Sequence, residues 1–407
     1  MIIHKPKIES KEDKIRISSY IEIETKKEFS NTLWYEFDKE YEKYISKSLN
    51  GFLSAMIMFA MYLNEDIKVK GKISPKLAYG LKELQGYFNF WYPKKFNKIE
   101  IISEGYEVKK ENPKGVMCTF SGGADAFYTL WKHLPRNEPN PHNQITHCLI
   151  IDGFAVPRSE KMNKSYEIIK ESYQKLISKL GLKFVFVKTN LADFYHRRIP
   201  PASIDGPVLS VVPQLLDKLI SRFHIPSCLS YSQILPRGSN AITNQLLSTE
   251  ELSITIHGSD KSRAEKILEI IKWPETYNHL RVCWDDFGVS NCCECEKCIR
   301  TMIVLKTAGV LNKCKTFPKP LTRKKIRDWK LYETYNFWFA EENLKYARKK
   351  RRKDIIFDIK YAVLKNKMLN YYNKKSYLIW LPSAYLKRRS KLYRKFVKVI
   401  KNKINYK

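Results

Sequence analysis

The feature that most constrains the fold is an alternation of short apolar runs and helical patterns through residues 115–310. Helical patterns of ten or more residues separate most of the apolar runs, for instance at 159–180. Apolar strands that alternate with helices predict an α/β domain with a doubly wound, mostly parallel sheet. The predicted strands are GVMCTF (115–120), ITHCLIID (145–152), KFVFVKT (183–189), LSITIHG (252–258) and HLRVCW (279–284).

The segments outside this pattern differ in character. Residues 1–114 mix strand-like alternations with helical stretches such as 75–91 and predict an α+β N-terminal domain without a chemical constellation. The apolar run at 51–63 is too short to span a membrane and predicts a buried helix. Residues 190–251, rich in turn clusters, predict either a long insertion at the ligand-binding edge or a disordered segment. Residues 311–407 predict a basic, mostly helical C-terminal region.

The net charge of +32 is concentrated near the C-terminus, where residues 315–407 hold 29 Lys and Arg against 6 Asp and Glu. This excess predicts an acidic partner, and residues 345–407 are the expected contact with nucleic acid or an anionic membrane. A solvated helix packed on the core is the alternative, and a homodimer is also open. The N-terminus carries no apolar secretory segment, which predicts a cytoplasmic protein, peripheral to a membrane if the tail binds lipid.

The stretch GVMCTFSGGADA (115–126) ends a predicted strand on a serine and two glycines. Ser121, Gly122 and Gly123 therefore form a predicted strand-to-helix turn, with Asp125 two positions later. Glycines let backbone N–H groups approach a ligand closely, and a helix N-terminus attracts anions. These features favour a phosphate cradle over an ordinary tight turn that starts a helix. The turn lacks the lysine of GxxxxGK[ST] and the spacing of GxGxxG, so neither of those nucleotide-binding motifs applies.

Polar residues at other strand ends face the same predicted crevice. Asp152 ends the second predicted strand, and Thr189 and Asn190 end the third. Each of these strand ends is predicted either to contact adenosine or to form an ordinary strand-to-loop turn. Residues 257–260, followed by Arg263 and Lys266, predict either a helix cap at Ser259 or Asp260 or a phosphate site. The loop 237–240 has the same two readings.

Four cysteines predict a metal centre. Cys292, Cys295 and Cys298 form a C-x₂-C-x₂-C run, and Cys283 lies nine positions upstream. Four thiolates suit tetrahedral Zn²⁺ and leave no open position, so a structural role is expected. An iron–sulfur cluster competes, but the ferredoxin run would need a cysteine at position 302, where Met stands. Cys293 is either a spectator or a reactive thiol.

The SGGADA turn resembles the SGGxDS pyrophosphate loop of the ATP pyrophosphatases. Followed by the cysteine run, it is similar to the 7-cyano-7-deazaguanine synthase family, over residues 115–305. The resemblance implies an adenine nucleotide alpha hydrolase-like sheet, pyrophosphate held by Ser121 and backbone amides, and Asp125 placed for Mg²⁺ or the nucleotide. It also implies that Arg300 is the arginine behind the cysteines. Ala126 departs from the final serine of the motif.

The resemblance implies an ATP-dependent carbon–nitrogen ligase. Such an enzyme adenylates a small-molecule carboxylate, releases pyrophosphate, and passes the acyl group to ammonia or an amine, forming an amide or a nitrile. ATP, Mg²⁺ and Zn²⁺ are the expected cofactors. An ATP-dependent tRNA-thiolating enzyme is one alternative. Because Ala126 removes a hydroxyl from the loop, a non-catalytic nucleotide-binding module that docks to nucleic acid or membrane is the other.

Overall fold

The computed structural model describes residues 1–109, 112–155, 157–283, 288 and 290–377. The first part contains β1 Ile2–Ile3, β2 Lys7–Lys11, β3 Lys14–Glu22, β4 Asn31–Asp38, α1 Asn50–Leu63, β5 Ile67–Val69, α2 Pro75–Trp91 and β6 Ile101–Ser103. The central part contains β7 Gly115–Thr119, α3 Ala124–Lys132, β8 His147–Asp152, α4 Glu160–Lys179, β9 Lys183–Thr189, α5 Leu191–Tyr195, α6 Asp205–Leu215, β10 Ile220–Pro226 and β11 Ser253–His257. It is followed by α7 Arg263–Ile270, α8 Glu275–His279, α9 Glu296–Thr307, α10 Arg323–Arg327, α11 Thr334–Lys349 and α12 Lys353–Tyr377.

The eleven strands form one sheet in the order β11-β10-β7-β8-β9-β4-β3-β1-β5-β6, with β2 paired to β3 beside β1. The five strands from β11 to β9 are parallel to one another. Strand β4 then joins antiparallel to β9, through Tyr35 opposite Thr189. The predicted α/β class with a mostly parallel sheet is therefore confirmed, and the sheet continues without a break into residues 1–114.

Alternate residues of the parallel strands pack on opposite faces of the sheet. Met117 and Leu149 lie in a core built with α1 and α6, whereas Cys118 and Cys148 lie in a second core built with α3, α4, α7 and α9. All six residues of β8 are buried, as expected for a strand covered on both sides. Helix α1 is buried along almost its whole length, in agreement with the apolar run that predicted a buried helix.

Two predictions about the central part are wrong. The predicted strand HLRVCW does not form: α8 ends at His279 and residues 280–283 lie outside the sheet. The predicted insertion at 190–251 instead contains α5, α6 and β10, and β10 is the direct neighbour of β7. The apolar pattern of β10 is interrupted by Arg222 and His224, which hides the strand in the sequence.

The described residues after 310 pack on the central part. Helix α11 lies against α7 and α9, and its residues Ala340 and Leu344 share a core with Met302 of α9. Among the described residues, no helix is both long and apolar enough to cross a bilayer. Residues 378–407, nearly half of the predicted basic contact segment 345–407, lie outside the described residues.

Candidate functional site

The turn at Ser121–Gly123 lies where the strand order reverses. Along the chain, the sheet grows from β7 through β8 to β9, and then returns to the other side of β7 with β10. The crevice beyond the carboxyl ends of strands at such a switch point is the usual ligand site of open parallel sheets. The turn connects β7 to α3, so the first N–H groups of α3 face that crevice.

The turn itself is held in a tight conformation. Gly122 has φ of +74°, and a side chain there would overlap the buried hydroxyl of Tyr173. The Gly122 carbonyl accepts a hydrogen bond from the Arg281 N–H (2.8 Å), which ties the turn to the chain before the cysteine cluster. Ser121 is exposed, and its Oγ accepts from the Gly123 N–H at 3.4 Å. Gly122 is therefore required by the backbone, and Ser121 is available to a ligand.

Asp125, in the first turn of α3, faces cations rather than open solvent. Its carboxylate accepts a charge-assisted hydrogen bond from Nη2 of Arg263, and Lys266 Nζ lies 3.6 Å from its Oδ1. Lys266 is almost completely buried and also donates to the Ser227 carbonyl at 2.5 Å. Arg263 and Lys266, three residues apart on α7, thus bring one face of that helix against the turn.

Helix α9 adds a second pair of cations at the same spacing, Lys297 and Arg300. Burial and the neighbouring Arg300 and Arg263 lower the pKa of Lys297 to about 7. Burial and Arg263 lower the pKa of Arg300 to about 10, although Glu296 lies 3.5 Å from its Nη1. Burial is also the main cause that lowers the pKa of Lys266. These shifts mark buried positive charge that the nearby carboxylates offset only in part.

Helix α11 closes over these cations. The ring of Phe339 lies 4.1 Å from the Arg300 guanidinium and 5.4 Å from that of Arg263. Glu342 accepts hydrogen bonds from Gln233 Nε2 (3.0 Å) and from the N–H of Ala264 (3.4 Å). Burial raises the pKa of Glu342. A helix from the basic C-terminal region therefore forms one wall of the site.

A cleft follows β10 on the other side of the cation cluster. It is lined by Cys228, Ser230, Arg237, Ser239, Asn240 and Ser259. Arg237 forms an ion pair with Asp205 at 2.7 Å, and its Nη1 donates to Cys228 Sγ at 2.9 Å. The loop 237–240 therefore lies in the crevice. Sequence reasoning left Cys228 out because a single cysteine carries no spacing signal.

The other predicted adenosine contacts have structural partners. The buried Asp152 pairs with Arg158 Nε at 3.0 Å, and burial raises the pKa of Asp152. Thr189 Oγ1 donates to the Trp34 carbonyl (2.7 Å), and Asn190 Oδ1 accepts from the Trp34 N–H (3.0 Å). Thr189 and Asn190 thus join β9 to β4. A contact of either with adenosine stays a prediction.

The segment 257–260 has a different role from the predicted cap. The N-cap of α7 is Ser262, whose side chain accepts from the Glu265 N–H, so the prediction of Ser259 or Asp260 as the cap is wrong. His257 instead lies in a partly buried imidazole cluster with His133 and His224, with ring centroids 4.4 Å apart between His133 and each of the other two. This cluster lies between the C-terminal end of α3 and the strands β10 and β11.

The four predicted cysteine ligands converge. All four Sγ atoms of Cys283, Cys292, Cys295 and Cys298 lie within 4.8 Å of one another. The separations are 3.9 Å between Cys283 and Cys295 and 3.8 Å between Cys292 and Cys298. A tetrahedron with Zn–S bonds of about 2.3 Å has edges of roughly 3.8 Å, so the donor set fits one Zn²⁺ ion. A four-iron cluster, being larger, would hold its thiolates further apart.

Hydrogen bonds around the cysteines preorganise this centre. Cys292 Sγ accepts from the N–H groups of Cys295 (3.2 Å) and Glu294 (3.4 Å), which suits a metal-bound thiolate. Asn291 Oδ1 accepts from the N–H groups of Val282 and Cys283. Cys293 is fully buried with φ of +62°, and its Sγ donates to the Asn291 carbonyl, as a spectator would.

The cysteine cluster lies at the end of α9 that carries Lys297 and Arg300. Cys295 is the N-cap of α9, and Cys298 lies in its first turn. Lys297 lies between these two ligands, and Arg300 follows two residues after Cys298. A metal ion held by the four thiolates would therefore lock the end of α9 that carries both cations near Asp125.

The sequence predicted the turn and the cysteines but not the cation cluster as a unit. The available signal was the spacing of Arg263 with Lys266 and of Lys297 with Arg300, since residues three apart share a helix face. Comparison of the chain with protein-family models, with curated proteins and with solved structures finds no match in any of the three. The site therefore rests on its own geometry: a glycine turn at a sheet switch point, buried cations, and a cysteine centre that holds them.

Proposed function

We propose that this protein is an ATP-dependent enzyme that cleaves ATP between the α and β phosphates to adenylate a carboxylate. The observation that carries the proposal is the cluster of Arg263, Lys266, Lys297 and Arg300 around Asp125, in the first turn of the helix that follows the glycine turn. A polyphosphate is the common biological ligand that carries enough charge to offset such a cluster, and it suits a helix N-terminus.

The residues have separate roles in this proposal. The Ser121 hydroxyl and the N–H groups at the start of α3 hold the β and γ phosphates, which leave together as pyrophosphate. Arg263 and Arg300 neutralise the charge that develops on this leaving group. Asp125 holds Arg263 and Lys266 in place until the nucleotide arrives with its Mg²⁺ ion. Zn²⁺ at the cysteine centre supplies rigidity and takes no part in bond cleavage.

The resemblance of SGGADA and the cysteine run to the 7-cyano-7-deazaguanine synthases extends the proposal to a nitrogen acceptor. Under it, a deazaguanine-type carboxylate is activated as an acyl adenylate, and ammonia or an amine displaces AMP. The parallel strand order around β7 is compatible with the adenine nucleotide alpha hydrolase-like sheet of those enzymes. Ala126, which lies buried under the turn, contributes no hydroxyl, so Ser121 must serve alone.

The deciding experiment measures pyrophosphate and AMP released from ATP and Mg²⁺, with and without 7-carboxy-7-deazaguanine and other carboxylates. Carboxylate-dependent release of both products supports the proposal. Nucleotide binding without either product would refute it and favour the non-catalytic module.

Two charge-matched variants make the test specific. Arg263→Gln should weaken ATP binding at least about tenfold, because it removes a buried charge-assisted contact to phosphate. Lys272→Gln removes the same charge from an exposed position just beyond α7, where Lys272 pairs with Glu269, and should leave ATP binding unchanged. Equal losses in the two variants would show that general charge, rather than this site, attracts the nucleotide.

A further inference from the structure

Cys228 differs from the other cysteines of this chain. Six of the nine cysteines are buried, and two of the three that are partly exposed, Cys292 and Cys295, belong to the metal centre. Cys228 is the remaining one. It lies in the loop after β10, next to Ser227, whose carbonyl accepts the Lys266 hydrogen bond. Lys266 in turn lies beside Asp125, so the thiol is close to the turn proposed to bind phosphate.

Two cations lie at this thiol. Arg237 Nη1 donates to Cys228 Sγ at 2.9 Å. Lys266 Nζ donates to the carbonyl of the preceding residue, Ser227. The thiolate is the nucleophilic form of cysteine, and reactive cysteines occur in partly exposed, electropositive surroundings of this kind.

A second observation indicates that the surroundings of Cys228 bind an anionic ligand. The side chains of Arg263 and Arg300 are 9% and 5% exposed, and both guanidinium groups lie against the ring of Phe339. Within the part of the chain that the structure describes, neither Nε has a hydrogen-bond partner. Buried donors of this strength are normally satisfied, so an anion is expected to complete the cluster beside the thiol.

We propose that Cys228 is a covalent nucleophile that accepts the acyl group of an acyl adenylate bound beside it. The inference rests on the proposed function, because the acyl adenylate formed by that function is the acyl donor. The Sγ lone pair forms the C–S bond while the C–O bond to AMP breaks, and AMP leaves with that electron pair. An amine or ammonia then forms the C–N bond, the C–S bond breaks to return the thiolate, and the nitrogen loses a proton to water.

Alkylation by iodoacetamide tests the nucleophile without any substrate. The zinc-loaded full-length protein is treated at neutral pH, and each cysteine peptide is quantified by mass spectrometry. Cys228 should react about tenfold faster in the folded protein than in the same protein unfolded in urea, because the cations act only in the fold. Millimolar pyrophosphate should slow that reaction several-fold. A folded rate no higher than the unfolded rate, or no protection by pyrophosphate, would overturn the proposal.

The acyl step is tested with ATP, Mg²⁺ and 7-carboxy-7-deazaguanine. A thioester mass on the Cys228 peptide, removed by hydroxylamine, is expected in the wild-type protein. Cys228→Ala should reduce amide formation about a hundredfold or more, as loss of a nucleophile does. Cys314→Ala, at a buried cysteine away from the crevice, is the matched control and should retain product formation.

The outcomes separate the two proposals. Amide formation by Cys228→Ala at the wild-type rate would overturn the covalent role while leaving ATP cleavage intact. A wild-type protein that releases no pyrophosphate, yet shows a fast and pyrophosphate-protected Cys228, would refute the proposed function. The same result would still support Cys228 as the nucleophile of an anion-binding site.

Discussion

Gly122→Ala tests the geometry of the turn directly. A residue with φ of +74° costs about 1–2 kcal/mol when it carries a side chain. The added methyl group would also overlap the Tyr173 hydroxyl, and Tyr173 is buried with its ring 5.2 Å from that of Phe120. Overpacking of this kind costs roughly 1–3 kcal/mol. Together these terms lower the free energy of unfolding by about 3 kcal/mol.

Gly123→Ala provides the control. Gly123 has φ of −76°, and an added Cβ would meet nothing closer than Ser121 Oγ at 3.4 Å. Its free energy of unfolding should stay within about 0.5 kcal/mol of the wild type. The methyl group would nevertheless narrow the approach of a phosphate to the backbone, so ATP binding should weaken. Urea unfolding followed by circular dichroism, with calorimetric titration of ATP, measures both quantities. Equal stability of the two variants would refute the reasoning.

Three further predictions concern the surroundings of the turn. Burial lowers the pKa of His224 to about 3, so this histidine is protonated in the unfolded chain at a higher pH than in the folded protein, and its contribution lowers the free energy of unfolding by about 2 kcal/mol between pH 7 and pH 5. The variant His224→Asn can still form a hydrogen bond with Thr255 and should remove that part of the pH dependence, measured by urea unfolding. An unchanged pH dependence of the unfolding free energy would contradict this prediction. Cys298→Ser should abolish the expected one zinc ion per chain, measured by elemental analysis, and weaken ATP binding with it, whereas Cys314→Ser should do neither. Phe339→Leu should weaken calorimetrically measured pyrophosphate binding about two- to tenfold with a stability close to wild type, since it removes an aromatic face from two guanidinium groups; undiminished binding would show that Phe339 does not position them.

The sequence predicted most of the sheet because its signals are local. Strand β9 and helix α2 occupy the predicted spans, since their apolar periodicity is uninterrupted. Strand β10 was missed because only Ile220, Phe223 and Ile225 of its seven residues are buried. The apolar run HLRVCW was misread because the N–H groups of Val282 and Cys283 bond to Asn291 instead of a neighbouring strand.

The candidate site was predictable only where it is contiguous in the chain. The glycine turn and three of the cysteine ligands each fall within a few residues, so spacing alone indicates their chemistry. The cations could not be assigned to the turn in this way. Arg263, on α7, follows Asp125 by 138 residues, and Arg300 lies later in the chain, on α9. Only the return of the chain from β9 to β10 brings α7 beside α3.

The burial of α1 has a consequence for synthesis of the chain on the ribosome. Twelve of its fourteen residues are buried, and its main helical partner is α6. About 150 residues separate the two helices in sequence, which corresponds to roughly 8–30 s of translation at about 5–20 residues per second. During that interval α1 can pack on earlier segments, through Phe52 against Tyr35 and Phe59 against Phe29, but the face that meets α6 has no native partner. We expect the nascent chain to engage a chaperone until α6 and β10 emerge and cover that face.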